Sequence, residues 1–353
     1  MAQTMQNGRL AWPDVLRALA VYSVLLAHLG VYSAYVSMFC FGYVIQLFFF
    51  VSGLFACVHD GQSLPTLAKW LIRRLLIPYI FLCAVNMLFY GLRSGLSLQK
   101  MLLECVLAIR NRLFAPTLWF VPCLIVMTCV YYGLKRLLKN RRLLLAVCCA
   151  ISLAFLLFKE TSQWFWSADS ALMFLFYYAL GDCAMPFLRR VDASYVRSLT
   201  PGKKLAGSFY LVLCAALSVL LYLFVSPTPQ LDITLSDTTL KLFIFFACLG
   251  VISLLIVLSM LLQRSELLRA IGRATLPISL AQSLCSWLFF NVCWLLGITW
   301  QIWKDYQVLF YGAALLLFSY YSFALPLRSA RKAVLSNLEL KRARRTGEAL
   351  QDQ

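Results

Sequence analysis

The sequence predicts an all-α, polytopic integral membrane protein of about ten transmembrane helices with both termini in the cytoplasm. Three observations carry that expectation. Charged residues make up only 13% of the 353 residues, against 62% hydrophobic, whereas a soluble chain carries about 25% charged residues. Apolar runs long enough to cross a bilayer recur from one end to the other, and the mean hydropathy is +0.80. Finally, Lys and Arg gather on alternate loops.

Apolar runs of about 20 residues place spans at 12–33, 39–57, 73–91, 116–134, 143–158, 170–187, 206–226, 239–262, 275–297 and 306–326. The first is too long for a cleaved signal peptide and lacks an Ala-x-Ala-like site, so it reads as a retained anchor. The fifth is short and ends against Lys159-Glu160. The longest loop, 92–115, is amphipathic through Leu98, Met101, Leu102, Cys105, Val106 and Ile109. It suits a short interfacial helix or a cap over a cavity. Residues 1–327 thus form one membrane domain, and 328–353 a basic cytoplasmic tail. Its Lys341-Arg342-Ala343-Arg344-Arg345 run suits anionic lipid.

Orientation follows from the basic residues, which accumulate on the cytoplasmic side. With the N-terminus inside, 24 of the 32 Lys and Arg face the cytoplasm and 7 face outward, with Arg17 left within a span. A reporter active only outside the cytoplasmic membrane, fused after Arg345, is expected to be silent; strong activity there would invert the topology. The net charge of +18 is therefore mostly topology. Nucleic acid is excluded as a partner, because no soluble module presents a basic face. The 13 cysteines fall in spans apart from Cys105 and form no Cys-x-x-Cys. With only His28 and His59 beside them, no metal site is expected.

Polar groups inside spans are costly and mark function by default. Arg17 and His28 share the first span. Eleven positions return a helix almost to the same azimuth while climbing ~16 Å, so one face carries Arg17 near a surface and His28 deeper. Taken singly, Arg17 could be a snorkelling anchor and His28 a packed core histidine. A second cluster runs Gln46-Leu47-Phe48-Phe49-Phe50-Val51-Ser52-Gly53, where the glutamine needs a partner and Ser-Gly permits close helix approach. The third, Lys69 with Arg73, Arg74, Pro78 and Tyr79, reads either as positive-inside flanking or as a phosphate clamp. The fourth, Pro116-Thr117-Leu118-Trp119-Phe120-Val121-Pro122, reads as an aromatic belt or as part of a site.

In this order the four clusters resemble the acyltransferase-3 family of integral-membrane acyl-CoA-dependent acyltransferases. The family pattern is Arg-x10-His after an acidic residue, here Asp14, Arg17 and His28. It continues with a Gln-Leu-Phe-Phe run ending in Ser-Gly, a basic run ending in Pro-Tyr, and a Leu-Trp-Phe element. Phe176 to Gly181 and Ile271 to Ile278 are similar to its weaker C-terminal patterns. Thr117 and Gln282 depart from it, standing where many members have His.

The resemblance implies transfer of an acyl group, in most members acetyl, from acyl-CoA to a hydroxyl of a carbohydrate or lipid-linked glycan. His28 would be the general base, since an imidazole accepts a proton near neutral pH, with Arg17 beside it. Arg17, Arg73 and Arg74 would hold the donor, acetyl-CoA, which binds as substrate with no permanent cofactor. Asp14, Gln46, Ser52 and Trp119 would bind substrate. Gln46, Ser52, Asn86 and Asn291 are the intramembrane polar groups available to an oxyanion. Implied partners are membrane lipid and glycan-synthesis enzymes, and the implied place is a bacterial cytoplasmic membrane. The competing reading is an exporter of polysaccharide or glycolipid, for which broken spans in matched halves would be the mark.

Overall fold

The computed structural model describes residues 10–29, 33–158, 164–191, 198–225, 236–297 and 305–330, and these are helices and their connections, with no strand among them. The expectations for the two termini concern 1–9 and 331–353, which lie outside the described residues, as does the side chain of His59.

Among the described residues, seven helices are long and apolar enough to cross a bilayer: Ala34–Gly53, Leu64–Tyr90, Phe120–Leu137, Arg141–Phe158, Pro201–Val225, Asp237–Leu261 and Gln307–Ala330. A pair bent by 60°, Phe165–Met173 with Leu175–Leu188, makes an eighth if counted as one span. The expected spans 12–33 and 275–297 are not single long helices. Helix α1, Trp12–Ala27, has 16 residues and ends with His28 as its C-cap, so it measures about 24 Å against a hydrocarbon layer of ~30 Å. It does not have to meet lipid. Val15, Leu16, Ala20, Val21 and Leu25 are fully buried, and six other helices surround it. Two of these are α2, Ala34–Phe41, and α3, Val44–Gly53.

Next come α4, Leu64–Leu71, a π turn at Ile72–Leu76, and α5, Ile77–Ser94. The third span therefore starts nine residues earlier than the apolar run suggests, because the amphipathic α4 continues it. Within the amphipathic loop lies α6, Leu98–Leu107, before α7, Phe120–Leu137. Residues 116–119, expected inside the fourth span, precede α7. Then follow α8, Arg141–Phe158, α9, Ala168–Met173, α10, Leu175–Leu188, α11, Pro201–Val225, and α12, Asp237–Leu261. The chain closes with α13, Glu266–Arg273, α14, Thr275–Leu280, α15, Gln282–Leu295, and α16, Asp305–Ser319. Helix α11 buries only Cys214 and Leu221, which suits a lipid-facing position.

A broken helix in an apolar medium must find partners for the backbone groups it frees. At the bend between α9 and α10, the fully buried Ser152 donates to Leu172 O (3.0 Å) and accepts from Phe176 N–H (2.9 Å). At the α14–α15 break, Asn86 Nδ2 donates to Leu280 O (3.0 Å) as well as to Leu82 O (2.8 Å). The α3–α10 crossing is backbone on backbone: a Cβ on Gly53 would stand 2.0 Å from Tyr178 O, and one on Gly181 2.2 Å from Phe50 O. The Ser-Gly of the second cluster thus serves close approach. A separate charge group around the buried Asp182 ties α7 to α10, where the half-buried Lys135 Nζ meets Asp182 Oδ2 (2.7 Å) and the exposed Asp60 Oδ1 (2.7 Å). Tyr131 donates to the same Asp182 oxygen (2.8 Å).

Candidate active site

The wall of α1 that carries Arg17 and His28 faces a cavity of about 450 Å³, within the usual range for small-molecule sites. Helix α3 contributes Phe48 and Ser52, the segment between α6 and α7 contributes Arg110, Thr117 and Trp119, and the α13–α14 corner contributes Arg273, Thr275 and Ser279. The one-face spacing of Arg17 and His28 thus becomes two stations on one cavity.

His28 was expected deep inside a continuous helix. Instead the helix stops there: His28 N–H bonds back to Val24 O and Leu25 O (3.2 and 3.1 Å), and the exposed side chain opens onto the cavity. Its ring meets the Phe41 ring edge-on at 5.5 Å. Neither imidazole nitrogen has a hydrogen-bond partner among the described residues, so both are free for a ligand.

At the other station Arg17 Nη1 pairs with Asp14 Oδ1 at 3.1 Å and its guanidinium lies over the Phe55 ring at 4.1 Å. Asp14 also faces Arg273 Nη1 at 3.9 Å. Asp14 is buried and is not among the residues lining the cavity; from there its carboxylate orients two arginines of the wall. This works because α13 lies directly on α1: a Cβ on Gly272 would sit 1.7 Å from Asp14 O. Only glycine permits that contact.

The remaining expected residues divide. Trp119 and Ser52 line the cavity, although the Ser52 hydroxyl is given to Phe48 O (2.8 Å). Gln46 is buried away from the cavity wall, and its Oε1 has no hydrogen-bond partner, contrary to the partner expected for it. Arg73 and Arg74 are exposed on the π turn and do not line the cavity, which the turn reaches through Leu75. Asn86 spends its amide hydrogens on backbone, and Asn291 Nδ2 donates to Trp287 O (2.7 Å). In their place, the hydroxyls of Thr117 and Ser279 lie in the cavity wall without partners, an unusual state for buried polar groups.

A family model for an acyltransferase domain matches residues 10–328. The chain belongs to the acyltransferase-3 family. No curated protein and no solved structure matches it significantly. At the family level the activity is membrane acyl transfer, and the matched stretch contains every cavity residue. Two arginines of the cavity wall are not singled out by the sequence. Arg273 was counted among topology charges, although it lies within the Ile271–Ile278 pattern. Arg110 was counted as an outer-loop charge, and only its place in an amphipathic loop could have flagged it.

Proposed function

We propose that the protein transfers an acyl group, acetyl first among the candidates, from acyl-CoA to a hydroxyl of a carbohydrate or lipid-linked glycan. The observation that carries the reading is the meeting of Arg17 and an unpartnered His28 in one cavity. His28 takes the proton of the acceptor hydroxyl as its oxygen attacks the thioester carbonyl. The tetrahedral intermediate then collapses with loss of the C–S bond, and the proton on His28 passes to the coenzyme A thiolate.

The cavity has room for the acyl end and the thin pantetheine arm. The nucleotide phosphates stay outside, where Arg73 and Arg74 stand exposed on the π turn, with Arg17 and Arg273 deeper. A charge-assisted hydrogen bond contributes about 1.5–3 kcal/mol. Arg74→Ala and Arg273→Gln are therefore each expected to raise the KM for acetyl-CoA about tenfold or more, leaving the acceptor KM nearly unchanged. An unaltered donor KM would return these arginines to plain topology anchors.

The overall test uses purified protein in lipid nanodiscs or vesicles with labelled acetyl-CoA and glycans from the host envelope. Mass analysis should find label on glycan hydroxyls. The bend at α9–α10 and the break at α14–α15 are the kind of interrupted helix found in transporters. Protein that binds no acyl-CoA yet moves glycan across vesicles would establish the exporter instead.

A further inference from the structure

Arg110 is the third guanidinium of the cavity, beside Arg17 and Arg273, and no carboxylate lines the wall. Asp14 answers the other two, but Arg110 has no such partner. Its guanidinium makes no hydrogen bond or ion pair among the described residues. It lies over the rings of Trp119 (4.8 Å) and Phe174 (5.6 Å). The carboxylate whose charge acts on it is Asp169, which stands beyond ion-pair distance. That carboxylate accepts from Ser170 N–H (2.8 Å) and Trp164 N–H (3.2 Å).

The backbone holds Arg110 in place at some cost. The described non-glycine residues with positive φ are Ala108 (48°), Asn111 (65°), Trp166 (55°) and Ser167 (50°), and all four belong to one contact. Ser167 Oγ accepts from Arg110 N–H (2.9 Å) and donates to Ala108 O (2.7 Å), while Trp166 Nε1 donates to Val106 O (3.0 Å). Left-handed residues of this kind are strained and persist where the surroundings over-determine them, chiefly at functional sites. An arginine in this cavity wall stays charged, and the two aromatic faces offset only part of its desolvation. The missing counter-charge has to arrive with the ligand.

From this we infer that Arg110 binds an anionic oxyacid group, a carboxylate or a phosphate, on the acceptor, so that the acceptor is an acidic saccharide or a phosphate-bearing glycan. The term acceptor rests on the transferase reading above. The donor already has Arg17, Arg273 and the arginines of the π turn, whereas Arg110 belongs to a different wall. Its neighbours there are an indole face, the Asn111 amide and the Thr117 hydroxyl, groups suited to a sugar ring and its hydroxyls.

Calorimetry on the full-length protein in nanodiscs tests this with methyl β-glucuronide, glycerol 1-phosphate and neutral methyl β-glucoside as probes, and acetyl-CoA titrated separately. Wild-type protein is expected to bind at least one of the two anions about tenfold or more tightly than the glucoside. The stronger of the two identifies the anion as sugar carboxylate or phosphate. Arg110→Gln should bring anion and neutral probe within about twofold of each other with acetyl-CoA affinity intact, and Arg110→Lys should restore part of the preference. The proposal is overturned if wild-type protein shows no preference for either anion, or if Arg110→Gln keeps it. Loss of acetyl-CoA affinity by the same factor in the glutamine variant would also overturn it, by assigning Arg110 to the donor. Anion preference without any acetyl-CoA binding would leave the anion site standing and remove the transferase reading.

Discussion

Replacing His28 with alanine is expected to lower the rate of acyl transfer by roughly 10²–10⁴-fold, the usual contribution of a positioned base, while acetyl-CoA still binds. Among the described residues the imidazole has no hydrogen-bond partner, and its ring meets that of Phe41 edge-on, so its removal breaks no described network. It also sits at the C-cap of α1 and contributes only backbone to the helix end, which alanine supplies equally well. His59→Ala, in the loop after α3, is the control and should be nearly silent. Single-turnover transfer from labelled acetyl-CoA, with donor binding measured on the same preparation, separates chemistry from affinity. A variant that transfers at the wild-type rate would end the assignment of His28 as base.

Gly272→Ala is expected to cost more in stability than any conservative change elsewhere in the cavity wall. The new methyl would stand 1.7 Å from Asp14 O, a backbone atom that no rotamer change can remove. Helix α13 must then lift from α1, at about 1–3 kcal/mol or more for overpacking. The same movement takes Arg273 away from Asp14 and shifts Thr275 and Ser279. Thermal unfolding monitored by size-exclusion in detergent should show a clearly lower Tm, together with a large loss of transfer. Gly207→Ala, on the lipid-facing α11 with nothing within 4 Å of its Cβ, should melt like the wild type. Equal Tm values for the two variants would refute the close α1–α13 contact.

The parts of the site that lay within one helix were legible in the sequence. Arg17 and His28 share an azimuth because helical periodicity alone dictates it, and a charge inside an apolar run announces itself by its cost. The Ser-Gly of the second cluster was rightly read as a point of close approach, and its partner Gly181 stood in a pattern already noted. Where helices end was less legible. Hydropathy reports how apolar a segment is, and a segment can be apolar because it meets lipid or because it meets protein. The run 12–33 was read as one span although α1 stops at Ala27, since its surroundings are other helices and it has no lipid thickness to match. The same ambiguity hid the breaks at Phe174 and Ala281, whose freed backbone groups are satisfied by Ser152 and Asn86 from other helices.

By itself the sequence determined an all-helical membrane chain, the family to which it belongs, and the pairing of a cation with an imidazole on one face. Those follow from composition, period and local order, which need no partner. Only the tertiary structure decided which charges face the cavity. Arg273 and Arg110 enter the cavity, while Arg73 and Arg74 remain on its outside. In sequence all four are flanking arginines of the same kind. What separates them is a glycine that lets α13 lie on α1 and a strained turn at Ser167 that holds the 108–119 segment inward. Both are contacts between residues tens to hundreds of positions apart, and no local pattern encodes them.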